Sequence, residues 1–235
     1  MTGDPDRNVN RSHTMAAVTI TRGQYRTFAD ISKANGCVLT LSTVEEMKCF
    51  GEFSFMAIGV VRDAADGHSG LFEKAAITLA RSIDADQFRS AGRPELDWGH
   101  LEDHEIFPFL FWHEIGHRVD NFDAFSVVAL KDPEARAACL RHVNTVNEVL
   151  ADRYAWNKIR PGEPIPMCDA GKRLQDGIAA GLEHLRKHAV HTSTFIRQPL
   201  PSGQYRSTPK EMLIEPWKAQ YVGAKVADTW RVARL

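Results

Sequence analysis

Residues 106–119 read IFPFLFWHEIGHRV, and the rest of the chain is parsed outward from this stretch. Ile106, Phe109, Leu110, Ile115 and Val119 predict an apolar helix over Phe107 to Val119, with Pro108 tolerable only in its first turn. His113 and His117 are four residues apart, which places both imidazoles on one helix face. Two imidazoles so placed can ligate a single Zn²⁺. Glu114 follows the first of them and sits beside the metal without binding it. There it can take a proton from a water whose pKa the metal lowers towards 7. Gly116 carries no side chain, which leaves room for another backbone near the metal. With 10 histidines in 235 residues, this pattern is rare by chance.

A catalytic zinc wants a third protein ligand and one open position. Downstream, Asp132-Pro133 is a cap followed by proline at the first helical position, opening a long helix over Glu134 to Ile159. Arg160-Pro161-Gly162 stops it. Glu148 and Asp152 lie on this helix, four apart on one face. Glu148 is the natural third ligand, giving a metal set of His113, His117 and Glu148. Asp152 is placed to accept from the free ring nitrogen of a ligating histidine, which fixes its tautomer. A competing third ligand is Asp123, six residues after His117. Asp120, standing where a glycine would turn the chain back, disfavours it.

This double pattern, His-Glu-x-x-His followed by Glu-x-x-x-Asp on the next helix, resembles the gluzincin zinc metallopeptidases. The string Glu148-Val-Leu-Ala-Asp-Arg-Tyr-Ala155 resembles the ImmA/IrrE branch, with Tyr154 where phenylalanine is usual. The branch often has Met-Pro on the same helix, whereas this chain has Ile165-Pro166-Met167 beyond the Pro-Gly break. The specific resemblance spans Phe111 to Ala155. It implies a zincin fold, one Zn²⁺ per chain, peptide-bond hydrolysis and a narrow regulatory protein target, in several relatives a transcriptional repressor. The other reading is a zincin-like binding or regulatory module of a mobile genetic element that cleaves nothing physiological.

The first half of the chain reads differently. Arg22 to Asn35 has helical spacing at Tyr25, Phe28, Ala29 and Ile31, and Asn35-Gly36 is a stop. Cys37 to Ser42 is a strand, and Thr43 with Glu46 forms a capping box for a short helix to Phe50. Phe53 to Val61 is a β-type run, followed by a connection over Asp63 to Gly70. Lys74 to Ser82 fits a strand, although Ala75-Ala76 and Leu79-Ala80 suit a helix nearly as well. Ala85 to Ala91 is a short helix, and Arg93-Pro94 breaks the chain. After the long helix, another spans Asp169 to Val190. The class is α+β: a small sheet, then helices carrying the metal motif.

Residues 1–18 are polar and without hydrophobic period, and read as a disordered arm. Residues 19–190 form the zincin-like domain, and the Pro-bearing stretch 191–235 is an extension packing on or near it. The sheet edge at Phe55 to Val61 is expected to wall the cleft above Glu114, where an extended peptide adds as a strand.

Charge and composition narrow the rest. The net charge is -1, with 29 Lys+Arg against 30 Asp+Glu, so no basic surface recommends direct nucleic-acid contact or a charged membrane. No apolar run approaches the roughly 20 residues that cross a bilayer. No secretory signal is legible at the start, and Cys37, Cys49, Cys139 and Cys168 are scattered as in a reducing compartment. A cytoplasmic protein is expected. His100 and His104 read as lining the entrance to the motif helix, and His184, His188 and His191 as an exposed face. Tyr154, Tyr205, Tyr221, His184 and His188 remain open as stabilisers of a developing oxyanion.

Overall fold

A computed structural model describes residues 17–62 and 69–193; side chains are described outside residues 56–74 and position 193. The fold is α+β. The arm at residues 1–16 and the tail from residue 194, with Tyr205 and Tyr221, lie outside the described residues.

In chain order the elements are β1 (Ala17–Thr19), α1 (Arg22–Ala34), β2 (Cys37–Ser42), α2 (Val44–Met47), β3 (Gly51–Arg62), β4 (Ser69–Ala80), β5 (Ser82–Asp84) and α3 (Ala85–Arg89). Two single 3₁₀ turns then lead into α4 (Ile106–Val119), β6 (Asp120–Phe122), α5 (Ala124–Val128), α6 (Pro133–Ile159), α7 (Asp169–His188) and β7 (His191–Ser193). Two edges of the expected domain move outward. Ala17 and Val18 belong to a strand paired antiparallel with β5, and residues 191–193 pair with β6. In both places backbone groups meet a ready partner strand, which polarity of sequence does not reveal. The helix expected to reach Val190 ends at His188.

The main sheet has the order β2-β4-β3, with β2 parallel and β3 antiparallel to the central β4. The Ala-rich run that suited helix or strand is therefore a strand, because both neighbours take its hydrogen bonds. Small Ala75, Ala76 and Ala80 are buried, as is nearly all of the strand from Ala75 to Ala80. The expected connection is shorter than read, since Ser69 and Gly70 already pair with β3. The Thr43–Glu46 capping box forms, but α2 stops at Met47, where Lys48 turns left-handed at φ 61° and releases the chain into β3.

Helix α4 is the axis of the molecule. All its residues except His117, Arg118 are buried, as befits a helix apolar on every side. Pro108 falls in its first turn, where no intrahelical N–H is lost. On one side Phe111 stacks on Phe28 of α1, with ring centroids 4.4 Å apart. On another, α4 lies along α6. That helix starts as its sequence promises, with the Asp132 carboxylate accepting from the N–H groups of Glu134 and Ala135. Next to Glu148, the Asn147 carboxamide donates to the Phe122 carbonyl and accepts from its N–H, both at 2.9 Å, and so ties α6 to β6.

Candidate metal centre

Helices α4 and α6 meet where the motifs lie, and a glycine sets their approach. A Cβ on Gly116 would come within 2.9 Å of the Ala151 Cα, so only hydrogen at this position lets the two backbones pack. Gly116 stands between His113 and His117, and Ala151 between Glu148 and Asp152. Closeness of the helices therefore becomes closeness of the four side chains.

His113 Nε2 and His117 Nε2 are 3.1 Å apart. Glu148 faces both, with Oε2 3.5 Å from His113 Nε2 and Oε1 3.4 Å from His117 Nε2. A tetrahedral ion with arms of about 2.0–2.1 Å needs ligand-to-ligand edges of about 3.3–3.4 Å. The His113–His117 edge is close to that value, and one ligand atom from each of the three residues lies within 4.8 Å of the other two, so the group can hold a metal ion. Among the described residues it is the one group of His, Cys, Asp and Glu with that property. Behind it, the fully buried Asp152 carboxylate lies 2.8 Å from His113 Nδ1, a charge contact in which the ring N–H is not well aligned. This is where the second histidine nitrogen was expected to find its partner.

The sequence reading missed Arg93. Its Nη2 donates to Glu148 Oε2 at 2.7 Å and to Asp152 Oδ1 at 3.0 Å, while Nε reaches Asp152 Oδ2 at 3.0 Å. The guanidinium lies over the Trp98 ring, 4.3 Å from its centroid, and Trp98 Nε1 donates to Asp152 Oδ1 at 3.3 Å. Arg93-Pro94 reads from sequence as a chain break, and nothing periodic around it marks a functional side chain. A second buried pair anchors the same segment: Arg153 of α6 grips Glu95 through two hydrogen bonds of 2.7 and 2.8 Å.

These contacts distribute charge unevenly. Burial works against a charged His113, but its contacts with Asp152 and Glu148 and the negative charges around it prevail and push its pKa up to about 10. Burial and the adjacent His113 charge push His117 down to about 4. Burial also opposes a charge on Glu148, yet the His113 contact and the charges of His113, His117 and Arg93 hold its carboxyl well below the usual range. Glu114 is raised to about 7, mainly by burial, with the His113 charge pulling down and the Glu148 charge pushing up. A carboxyl poised near neutrality suits a group that must both take and return a proton.

Glu114 is 3% exposed but faces a cleft of about 610 Å³ whose walls also include Arg93, His113, His117 and Glu148. Among the residues whose side chains are described, the facing wall is the start of β3 and the turn before it, from Lys48 to Phe55; of the expected edge Phe55 to Val61, Phe55 lines the cleft and the other side chains lie outside the described ones. The pairing of β3 with β4 shifts register between Ser54 and Ala57, just past this wall. Gly51 is the point of closest approach: a Cβ there would stand 2.6 Å from Glu114 Oε1. Ile106, Leu110 and Val149 are buried, as expected of the packing around such a site.

No protein-family model, curated protein or solved structure matches the chain.

The remaining candidates fall away from the cleft. Asp123 spends its carboxylate as the cap of α5, accepting from Phe125 N and Ser126 N at 3.0 and 3.1 Å. Tyr154 packs on Trp112 and Lys158, and burial raises its pKa, so it offers no oxyanion contact in the cleft. His184 and His188 stand ring to ring at 5.0 Å on α7, and neither lines the cleft. His191 belongs to β7, where it meets Asp120 at 2.9 Å and stacks on Phe122. His100 and His104 sit in the 3₁₀ turns before α4, beside Asp97 and Glu102. All four cysteines are free thiols. No helix among the described residues is long and apolar enough to cross a membrane.

Proposed function

We propose that the protein is a zinc-dependent peptide hydrolase of zincin type, acting in the cytoplasm on a narrow set of regulatory proteins. The observation that carries this reading is the convergence of His113, His117 and Glu148 on one point of the cleft, with Glu114 lining the same cleft. A purely structural ion has no use for Glu114. Two imidazoles and one carboxylate also match zinc's preference for nitrogen and oxygen ligands with one position left open. The resemblance of the double motif to the ImmA/IrrE branch supplies the regulatory target, a repressor in several relatives.

Bound there, zinc supplies Lewis acidity and lowers the pKa of a water molecule towards 7. Glu114 takes the proton of the attacking water and returns it to the departing amine nitrogen. Asp152, beside His113 Nδ1, would leave Nε2 as the ligating nitrogen, and Arg93 keeps Glu148 and Asp152 in register. The outer edge of β3 has no partner strand among the described residues. An extended peptide can add there by main-chain hydrogen bonds and lay its scissile carbonyl over the centre.

The test is Glu114→Gln in the zinc-loaded full chain, against peptides derived from whole-cell protein and analysed by mass spectrometry. The variant should keep about one zinc per chain and lose cleavage, while His113→Ala should lose the zinc. Equal cleavage by Glu114→Gln and wild type would overturn the reading.

A further inference from the structure

We propose that Arg118 and Asn121 form a carboxylate-binding subsite beside the metal group, which selects peptides carrying a carboxylate at a fixed reach from the scissile bond. This deepens the peptide-hydrolase reading and rests on it for the identity of the substrate.

A second groove, of about 720 Å³, adjoins the cleft and shares Phe55, Asn121 and Asp123 with it. Arg118, one residue after the ligand His117, lines this groove and is half-buried. Arg93 holds Glu148 and Asp152, Arg153 holds Glu95, Arg160 holds Glu105, and half-buried Arg136 donates to the Leu130 carbonyl. Arg118 has no hydrogen-bond or ion-pair partner among the described residues. Its guanidinium stands over Gly36, where a Cβ would come within 3.1 Å of Nη2, so this left-handed glycine (φ +70°) gives it room.

Asn121 supplies the independent observation. The residue is 8% exposed, yet its carboxamide has no hydrogen-bond partner among the described residues, and it lines both cavities. Strand alternation puts it there. Its neighbours Asp120 and Phe122 turn to the other face of β6, where both meet His191. With no protein partner, the amide of this nearly buried residue keeps its donors and acceptor for whatever enters the cavities it lines.

The two groups specify an anion with planar geometry. A guanidinium presents paired N–H donors that match the two oxygens of a carboxylate, and the carboxamide NH₂ adds a third donor. Asp123, the one acidic residue common to the described walls of both cavities, has its oxygens turned to the N–H groups of Phe125 and Ser126. The carboxylate can come from an acidic side chain or from a peptide's C-terminus.

The side-chain ¹⁵N–¹H resonances of Arg118 Nε and Asn121 Nδ2, followed in the zinc-treated full chain, read this contact without need of cleavage. The probes are acetyl-Ala-Ala-Glu-amide, acetyl-Ala-Ala-Ala with a free C-terminus, and neutral acetyl-Ala-Ala-Ala-amide. Both signals should move with at least one carboxylate peptide at concentrations about tenfold below those needed for the neutral one. The stronger of the two acidic probes identifies the source. Arg118→Gln should abolish the preference, and Arg118→Lys, which keeps charge but not the fork, should weaken it. No shift, or equal shifts with the neutral peptide, overturns the subsite. Metal analysis of the same samples reports separately on the hydrolase reading: a carboxylate preference without zinc uptake would remove that reading and leave the subsite standing.

Discussion

Gly116→Ala is the substitution whose effect follows most directly from the helix contact. The added methyl would lie 2.9 Å from the Ala151 Cα and 3.3 Å from both its Cβ and its carbonyl oxygen. Carbon atoms in contact prefer about 3.5–4.0 Å, so α4 and α6 must part by roughly 0.6–1 Å. Overpacking of this kind costs about 1–3 kcal/mol, offset in part by the roughly 1 kcal/mol that alanine gains over glycine within a helix. The net loss of fold stability is then about 0–2 kcal/mol, a fall of a few degrees in Tm at this chain length. The metal group is hit harder. His113 and His117 ride on one helix and Glu148 on the other, and ligand distances tolerate only about 0.2 Å. Zinc affinity, read by competition with a chromophoric chelator, should fall at least about tenfold while the fold survives. Combining the change with Ala151→Gly removes the Cβ contact but not the backbone one, so affinity should recover only in part. Unchanged affinity and unchanged Tm in Gly116→Ala would refute the idea that this contact sets the site.

Two further outcomes test the site's electrostatics. Arg93→Met removes the cation that holds Glu148 and Asp152 together, so zinc affinity should fall about 10–100-fold with the chain still folded, measured by the same competition; no change would reduce Arg93 to packing. Zinc uptake at pH 7 should release about one proton, because His113 carries a proton up to about pH 10 and must give it up to bind. The sign follows: affinity rises with pH, by about tenfold per unit, until His113 titrates, and calorimetry in buffers of different ionisation enthalpy counts the proton.

What could be read in the sequence was whatever depends on neighbours along the chain. The spacing of His113 and His117, the pairing of Glu148 with Asp152, the Asp132-Pro133 start and the Thr43–Glu46 box are all local, and each stands where it was expected. Arg93 could not be read, because its partners lie 55 and 59 residues away and no helical or strand period marks it. Hydrophobic pattern locates β3, but the close packing of its first residue on Glu114 depends on the absence of one methyl group at Gly51, which no pattern marks. The strands at Ala17–Thr19 and His191–Ser193 are three residues each, too short for alternation to announce them.

The cleft is built from two separate stretches of chain. Every group assigned to holding an ion or moving a proton lies between Arg93 and Asp152, whereas the facing wall is drawn from Lys48 to Phe55. Selection can therefore act on the two halves independently. Lys48, Glu52, Phe53 and Phe55 are free to be rewritten as targets change, with only Gly51 forbidden a side chain by the carboxylate pressed against it. A lineage under pressure to follow a changing target would diversify along the wall and keep the helices that do the chemistry. Its members would grow unlike one another in overall sequence long before they lost a common reaction.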